Sequence, residues 1–463
     1  MYHSVVVGGG VCGLLAAYFL RQYGHQVVLI EQSEHCGGLL RSVQDEQGNY
    51  YDQGTHVPNP TGIEMVDEFL FGPESLRHIE WNGISHLKTG NYFKGKWDFE
   101  TQTIDARKLS RTSYEKGMGQ LLINTEKPED SNIEDYCKNS IGETFFMELV
   151  KPVIDKLYGP QDDYKKLSAK NSINYFGATR LLALDEAKTA KLKEIAEYDE
   201  RLGFHTHAAY QTWMKSQGII EPTYLYPKSK KGCQAWIDSL IDKVTACGVK
   251  VINGSGVTGL NVSNSKVSEV SLNNGEVIKC DWLYWSAPPA FALKLLANKE
   301  QGTSGFRPSL RTANIFHYTI DRPLNNTHSH YLWNWDSSSD IFRITLYPNL
   351  NKSREYSITA EVLSDAEQAK ALDSQRIFAD LKSMDLVTAD ANITSSYRQI
   401  VHHTFPIPTI EFNHHVAHQF KQLTHSINNI SVSGRFSGKL WLLNDILKET
   451  YQSIHNQFGN VSE

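Results

Sequence analysis

The sequence predicts an α/β chain, and three observations predict it. Near the start, the β-branched run Val5-Val6-Val7 leads through a glycine turn into a helix-like stretch and a second β-branched run. In the middle, Val251 to Ser286 alternates apolar and polar residues around the turn signals Ser263-Asn264 and Asn273-Asn274-Gly275. Near the end, Ile430-Ser431-Val432 reads as a strand that runs through Gly434-Arg435 toward a helix.

The first element is a buried parallel strand, because Val5-Val6-Val7 is apolar without alternation. Gly8-Gly9-Gly10-Val11-Cys12-Gly13 then fits GxGxxG, and Leu14, Leu15, Tyr18, Phe19 and Leu20 follow at helical spacing. Gly24 closes that helix, and the strand Val27 to Ile30 ends in Glu31, eighteen residues after Gly13. This is the Rossmann-like dinucleotide arrangement. Gly8 permits the tight turn, Gly10 lets the backbone approach a pyrophosphate, and Gly13 lets helix and strand pack closely. The helix N-terminus offers unpaired N–H groups to the phosphates. Glu31 is placed to accept from a ribose 2′-hydroxyl and to repel a 2′-phosphate. The motif alone serves NAD and FAD equally.

Composition narrows the partners. The net charge is −6 and there is no long basic tract, which argues against a nucleic-acid surface. Six cysteines without a CxxC pair fit scattered reduced thiols and exclude a zinc ribbon. His402-His403 and His414-His415 are adjacent pairs, which do not share a helix face, so no metal site is expected. No GxSxG elbow supports a hydrolase triad. The first strand begins too early for a signal peptide, and no run of about twenty apolar residues suggests a membrane helix. A cytoplasmic protein acting on a small molecule is the expectation. The Asn-x-Thr triplets at Asn325 and Asn392 are then chance matches. The oligomeric state stays open.

The residues after Glu31 carry a family resemblance. Glu31-x5-Gly37-Gly38-Leu39-x-x-Ser42 resembles the ExxxxxGGRxxS/T extension of the flavin amine oxidase and protoporphyrinogen oxidase superfamily, with Leu39 in place of the commoner Arg. That superfamily includes phytoene desaturases and UDP-galactopyranose mutase. Tyr51-Asp52-Gln53-Gly54-Thr55-His56 is similar to its FDxGxH segment. Gly142 to Gly159 resembles a helix ending in Lys-x-Trp/Tyr-Gly. Tyr226-Pro227 with Gly232 to Trp236 looks like a helix start in the mutase. Gly434-Arg435 with Trp441 and Asn444-Asp445 resembles the late GR motif, with one extra residue between Arg435 and Asn444.

The resemblance implies noncovalent FAD, since no His or Cys stands in a recognised attachment motif. Its seat would comprise Gly8, Gly10, Val11, Cys12, Gly13, Glu31, Gln32, Gly38, Leu39, Gly54, Thr55 and His56. Val257, at the start of an implied β-meander, would hold the adenine. Ala287, Gly434, Arg435 and Asn444 would complete the seat. The FAD domain would be discontinuous, at 1–60, 215–295 and 405–463. A mixed sheet-and-helix substrate domain would take 61–214 and 296–404.

In that second domain, Thr179 to Arg201 has strong helical composition with a charged face. His328 to Leu350 reads as two strands around a Ser-rich turn, and Arg311 to Tyr318 alternates like a strand. Arg180 and Arg343 are candidates to grip an anionic substrate bidentately. Trp333, Trp335 and Tyr347 could wall a pocket, and Phe405 resembles the aromatic that faces substrate. His56 and Arg343 are the candidate catalytic residues. The leading reading is an FAD-dependent oxidoreductase acting on a C–N or C–C bond. The alternatives are a non-redox nucleotide-sugar mutase, favoured by Gly232 to Trp236, and a flavin-binding protein without turnover.

Overall fold

The computed structural model describes residues 2–124, 132–169, 180–296 and 306–459. The chain forms two compact units. One comprises Met1–Ile84, Pro222–Arg307 and Asn413–Glu463, the other Ser85–Glu221 and Pro308–Phe412.

The first unit is built on a five-stranded parallel sheet. Its order is Lys250–Ile252, Gln26–Ile30, His3–Val7, Trp282–Trp285 and Ile430–Val432. The central strands are apolar on both sides, with Val5, Val6, Leu29, Leu283 and Tyr284 buried, because layers cover both faces. Three helices supply one layer: Val11–Gln22, Cys233–Ala246 and Leu443–Phe458. Trp236, Ile237, Leu240 and Val244 form one stripe of the second helix. They share a core with Leu14, Phe19 and Leu447. A three-stranded meander, Val257–Ser263, Lys266–Leu272 and Val277–Lys279, supplies the other layer. Its Leu260, Val270 and Leu272 pack with Val5, Val7 and Leu283. The alternating stretch from Val251 to Ser286 thus divides. Its middle is the meander, and its ends join the parallel sheet, where both faces need apolar residues.

The unit's limits differ from the sequence boundaries. It continues past residue 60 to Ile84, because Val66, Phe69 and Leu70 of helix Glu64–Phe71 join the same core. Trp81–Ile84 also pairs antiparallel with Tyr224–Pro227. The last segment begins at Asn413 rather than 405, because Phe405 lies inside the long strand Ile393–Pro406 of the other unit.

The second unit carries a seven-stranded sheet. Its order is Ile393–Pro406, Leu310–Ile320, Ser357–Ser364, Arg343–Leu346, Tyr331–Asn334, Thr89–Phe93 and Lys96–Asp98. All pairs are antiparallel except Tyr331–Asn334 with Thr89–Phe93. One face is apolar: Phe316, Tyr318, Ile344, Ile358 and Val362 pack against Ile377, Phe378 and Leu381 of helix Ser374–Ser383. The opposite face holds polar residues in register, with His317 beside Thr359 and Thr359 beside Thr345. Ala313, Ile315 and Leu363 on that face pack with Phe145, Leu149, Val153 and Leu157. These four come from the run Glu143 to Tyr158, which contains a π-helical turn at Phe146–Val150.

The long helix expected over Thr179 to Arg201 does not form. Thr179 lies outside the described residues. Leu181–Leu182 instead pairs with Ile104–Asp105 as a short parallel ladder. The buried apolar triplet Leu181-Leu182-Ala183 serves that core better than a helix face would. Asp185 then caps a new helix, Glu186–Leu192, by accepting from the Lys188 N–H at 2.9 Å.

Candidate dinucleotide site

The glycine turn is shaped by close backbone approaches. Gly8 has φ +102°, and its N–H donates to the Ile30 carbonyl at 2.8 Å. A Cβ there would lie 2.1 Å from Ser286 Oγ. A Cβ on Gly13 would meet the Gly8 carbonyl oxygen at 1.8 Å, so only glycine lets the helix start this close to the turn. Gly10 is the exception, with nothing within 4 Å of its Cβ direction. It is also the N-cap of helix Val11–Gln22, and no side chain caps that end. The uncapped helix start, with Val11 and Cys12 in its first turn, therefore meets open space at Gly10.

Glu31 braces this turn. Its Oε2 accepts from the Gly9 N–H at 2.7 Å and its Oε1 from the Ser33 N–H at 2.8 Å. Each oxygen keeps further lone pairs for a hydroxyl donor. The Gly37-Gly38 pair packs on the same turn. The Gly37 N–H donates to the Gly9 carbonyl at 2.8 Å, and a Cβ on Gly38 would lie 3.3 Å from Gly10 Cα. Gly38 and Leu40 bound a short helical turn that includes Leu39. Burial, and then the neighbouring Glu31, push the Cys36 thiol beneath Gly9 up to about 12. Gln32 is exposed.

Asp52 organises the second motif. It is 1% exposed and accepts from Ser42 Oγ at 2.8 Å, from the Cys233 N–H at 3.0 Å and from the Tyr226 hydroxyl. The carboxylate thereby caps helix Cys233–Ala246 and ties three of the resembling segments together. Its role is architectural. Gly54 turns the chain at φ +96°. The half-buried His56 ring bonds through Nε2 to the Gln53 carbonyl at 3.1 Å. A carbonyl only accepts, so Nε2 carries the proton. Gln53 Nε2, which the sequence reading did not select, is buried without a hydrogen-bond partner among the described residues.

The C-terminal motif closes on the same place. Gly434 has φ +96°, and its Cβ would lie 3.0 Å from the Ser286 carbonyl oxygen. Ser286, the neighbour of the selected Ala287, donates through Oγ to the Val7 carbonyl at 2.8 Å. No motif marks it; its position at the end of a central strand does. The Arg435 guanidinium lies 3.7 Å above the Trp441 ring. Asn444 Nδ2 donates to the Pro60 carbonyl at 3.1 Å, one residue into a helix that has no side-chain N-cap. Val257 is half-buried at the first position of the meander.

The candidates in the second unit behave differently from one another. Arg343 makes a two-pronged pair with Glu361, at 2.7 and 2.6 Å, so its charge is matched inside the protein. Trp333 and Trp335 stack at 5.0 Å and both donate to Gln102, as members of a buried core. Tyr347 is fully buried and begins a helical turn, Tyr347–Leu350, with the Arg354 guanidinium 3.6 Å above its ring. Phe405 is buried opposite Arg311 in register. Arg180 lies 6.0 Å from the Trp213 ring.

Sequence reasoning passed over Arg311 as one residue of a strand. It is 7% exposed, its Nε has no hydrogen-bond partner, and no carboxylate among the described residues lies within ion-pair distance. One Nη donates to the Leu363 carbonyl at 3.0 Å. The other lies 3.0 Å from where a Cβ on Gly159 would sit, which gives the glycine of the Lys-x-Tyr-Gly segment a reason. Among the described residues no three His, Cys, Asp or Glu side chains gather as a metal site, and the His403 side chain lies outside the description. No described helix is long and apolar enough to cross a membrane.

Residues 6–69 match the model of the NAD(P)-binding Rossmann-like domain. The chain is 45% identical over 144 residues to L-amino acid oxidase Bs29 of Bothriechis schlegelii, covering 29% of each. It is 47% identical over 142 residues to the L-amino-acid oxidase of Gloydius halys, covering 28% of each. These matches span under a third of the curated relatives' length. Over its whole length the fold is similar to that of reduced UDP-galactopyranose mutase, with TM-score 0.76, 18% identity and coverage of 100% and 95%. A protein of Exiguobacterium named for protoporphyrinogen oxidase has TM-score 0.66 at 14% identity, with coverage of 99% and 98%. Putrescine oxidase has TM-score 0.59 at 11% identity, covering 99% of each chain. The chain thus has a Rossmann-like start, is similar to L-amino-acid oxidases over under a third of its length, and over its whole length is similar in fold to UDP-galactopyranose mutase, to the protein named for protoporphyrinogen oxidase and to putrescine oxidase.

Proposed function

We propose that the protein is an oxidoreductase that holds FAD noncovalently in its first unit and acts on a small molecule. The observation that carries this reading is the uncapped helix start at Gly10, open on the side where a pyrophosphate would lie. When bound, FAD supplies a hydride acceptor for a C–N or C–C bond of the substrate. The chain's own residues bind and orient it. Gly10 and the amides of the first helical turn hold the pyrophosphate, and Glu31 accepts from the ribose. Gln53 offers a buried donor without a partner, and Gly434 brings the C-terminal segment against Ser286. The six thiols form no disulfide, which supports a cytoplasmic location.

Purified protein should be yellow and should release its flavin on denaturation. Gly10→Val should abolish the colour. Colourless wild-type protein that does not take up added FAD would sink the proposal.

A second reading, a nucleotide-sugar mutase, gains from Arg311, whose buried guanidinium suits a phosphate. A carboxylate substrate of an oxidase would suit it as well. Anaerobic assays separate the two: an oxidase consumes its oxidised flavin when given substrate, whereas a mutase turns over only after reduction and with no net electron change.

A further inference from the structure

Three histidines outside the dinucleotide site converge where the parallel strands Thr89–Phe93 and Tyr331–Asn334 of the seven-stranded sheet begin. Two successive backbone amides there donate to imidazole nitrogens. The Lys88 N–H donates to His330 Nδ1 at 2.9 Å, and the Thr89 N–H to His207 Nε2 at 3.2 Å. Thr89 begins the strand Thr89–Phe93, and the His330 N–H returns a bond to the Lys88 carbonyl at 2.9 Å. His86 lies with its ring 4.9 Å from that of His207 and its Nδ1 2.7 Å from Glu221 Oε1. His86 Nε2 is buried without a partner among the described residues. The other groups facing the cluster are Gln211, which donates to Glu221 at 3.0 Å, Glu100, at 3.8 Å from His207 Nδ1, and the Lys88 ammonium.

We propose that this cluster is a proton-operated latch, which holds the Thr89–Phe93 strand against Tyr331–Asn334 when its imidazoles are neutral and releases it on acidification. An imidazole nitrogen that accepts an amide N–H has no room for a proton of its own. Protonating His207 or His330 there replaces a hydrogen bond with two opposed N–H groups. The His86 ring, held by Glu221, stands against the His207 ring.

The electrostatics agree in sign. Burial, then Lys88 and the neighbouring rings, hold His330 down at about 4, and burial and then His86 lower His207. A lowered histidine contributes stability that is complete above its unfolded value of about 6.5 and is lost as the pH falls toward its folded value. For His330 the window runs from about 6.5 to about 4.

Hydrogen–deuterium exchange on the full chain tests this, with the intrinsic pH dependence of exchange divided out. Protection of the Lys88 and Thr89 amides should fall ~100-fold between pH 6.5 and 4.5, up to tenfold per pH unit for each histidine. The His3–Val7 strand should keep its protection. His330→Asn and His207→Gln preserve an acceptor at the Nδ1 and Nε2 positions without titrating, and together they should flatten the profile. A wild-type profile that is already flat, or a double variant that loses protection as wild type does, overturns the latch. If the double variant does not fold, imidazole nitrogen shifts of wild type decide. Ring titration coincident with the protection loss supports the latch, and loss without it overturns it.

Discussion

Arg343 and Glu361 face each other on adjacent strands and share two bonds, at 2.7 and 2.6 Å, with both side chains largely shielded from water. A guanidinium matched in this way is a strut of the sheet. Glu361→Gln should destabilise the protein by ~3 kcal/mol, because it strands a shielded positive charge. Arg343→Met with Glu361→Leu should recover much of that loss, and urea titration reads both.

Gly10 and Gly13 should separate binding from folding. A methyl on Gly13 runs into the Gly8 carbonyl, so Gly13→Ala should lower stability by ~1–3 kcal/mol and weaken FAD with it. A methyl on Gly10 meets no protein atom. Gly10→Ala should leave the flavin-free melting temperature unchanged and weaken FAD at least ~10-fold, which is about 1.4 kcal/mol. Calorimetry with added FAD and thermal melts without it check the pair.

Asp52→Ala removes a helix cap together with the acceptor for a buried serine and a buried tyrosine. The expected cost is ~2–3 kcal/mol, read by denaturant titration. Asp52→Asn should keep part of it, since the amide oxygen still accepts from Cys233.

Lys156 ends in a pocket of three carbonyls, Asn334, Asp336 and Ile341, and burial pulls its ammonium down to about 7. Unfolded lysine binds its proton up to about 10.4. Between these values the unfolded state holds more protons, so this group makes stability rise with pH. Wild type minus Lys156→Met should show that rise across pH 7 to 10; a flat difference would refute it.

The dinucleotide turn was legible because its signals are local: glycines whose missing Cβ atoms define the shape lie within a few residues of one another. Asp52 was legible as a motif residue, but its work is not. Its partners Ser42, Tyr226 and Cys233 meet only after nearly two hundred residues of chain have folded back. Arg343 looked like an anion grip until Glu361 appeared opposite it, and strand register is invisible in composition. Arg311 was missed for the converse reason: an arginine within a strand reads as exposed until the fold shows it buried. The helix over Thr179 to Arg201 failed where buried leucines found a strand partner, a tertiary contact that outweighed local propensity.

The Ser286 junction sets a condition on synthesis. Val7, Gly8, Ser286 and Gly434 meet there, so the seat that the first forty residues announce is completed by residues made hundreds of codons later. The sheet strand that delivers Gly434 is Ile430–Val432, at the sheet's edge. A nascent chain still on the ribosome has the motif without the site. If the seat holds FAD as proposed, binding awaits the C-terminal strand, and a truncation that removes Gly434 should weaken FAD binding at the N-terminal turn.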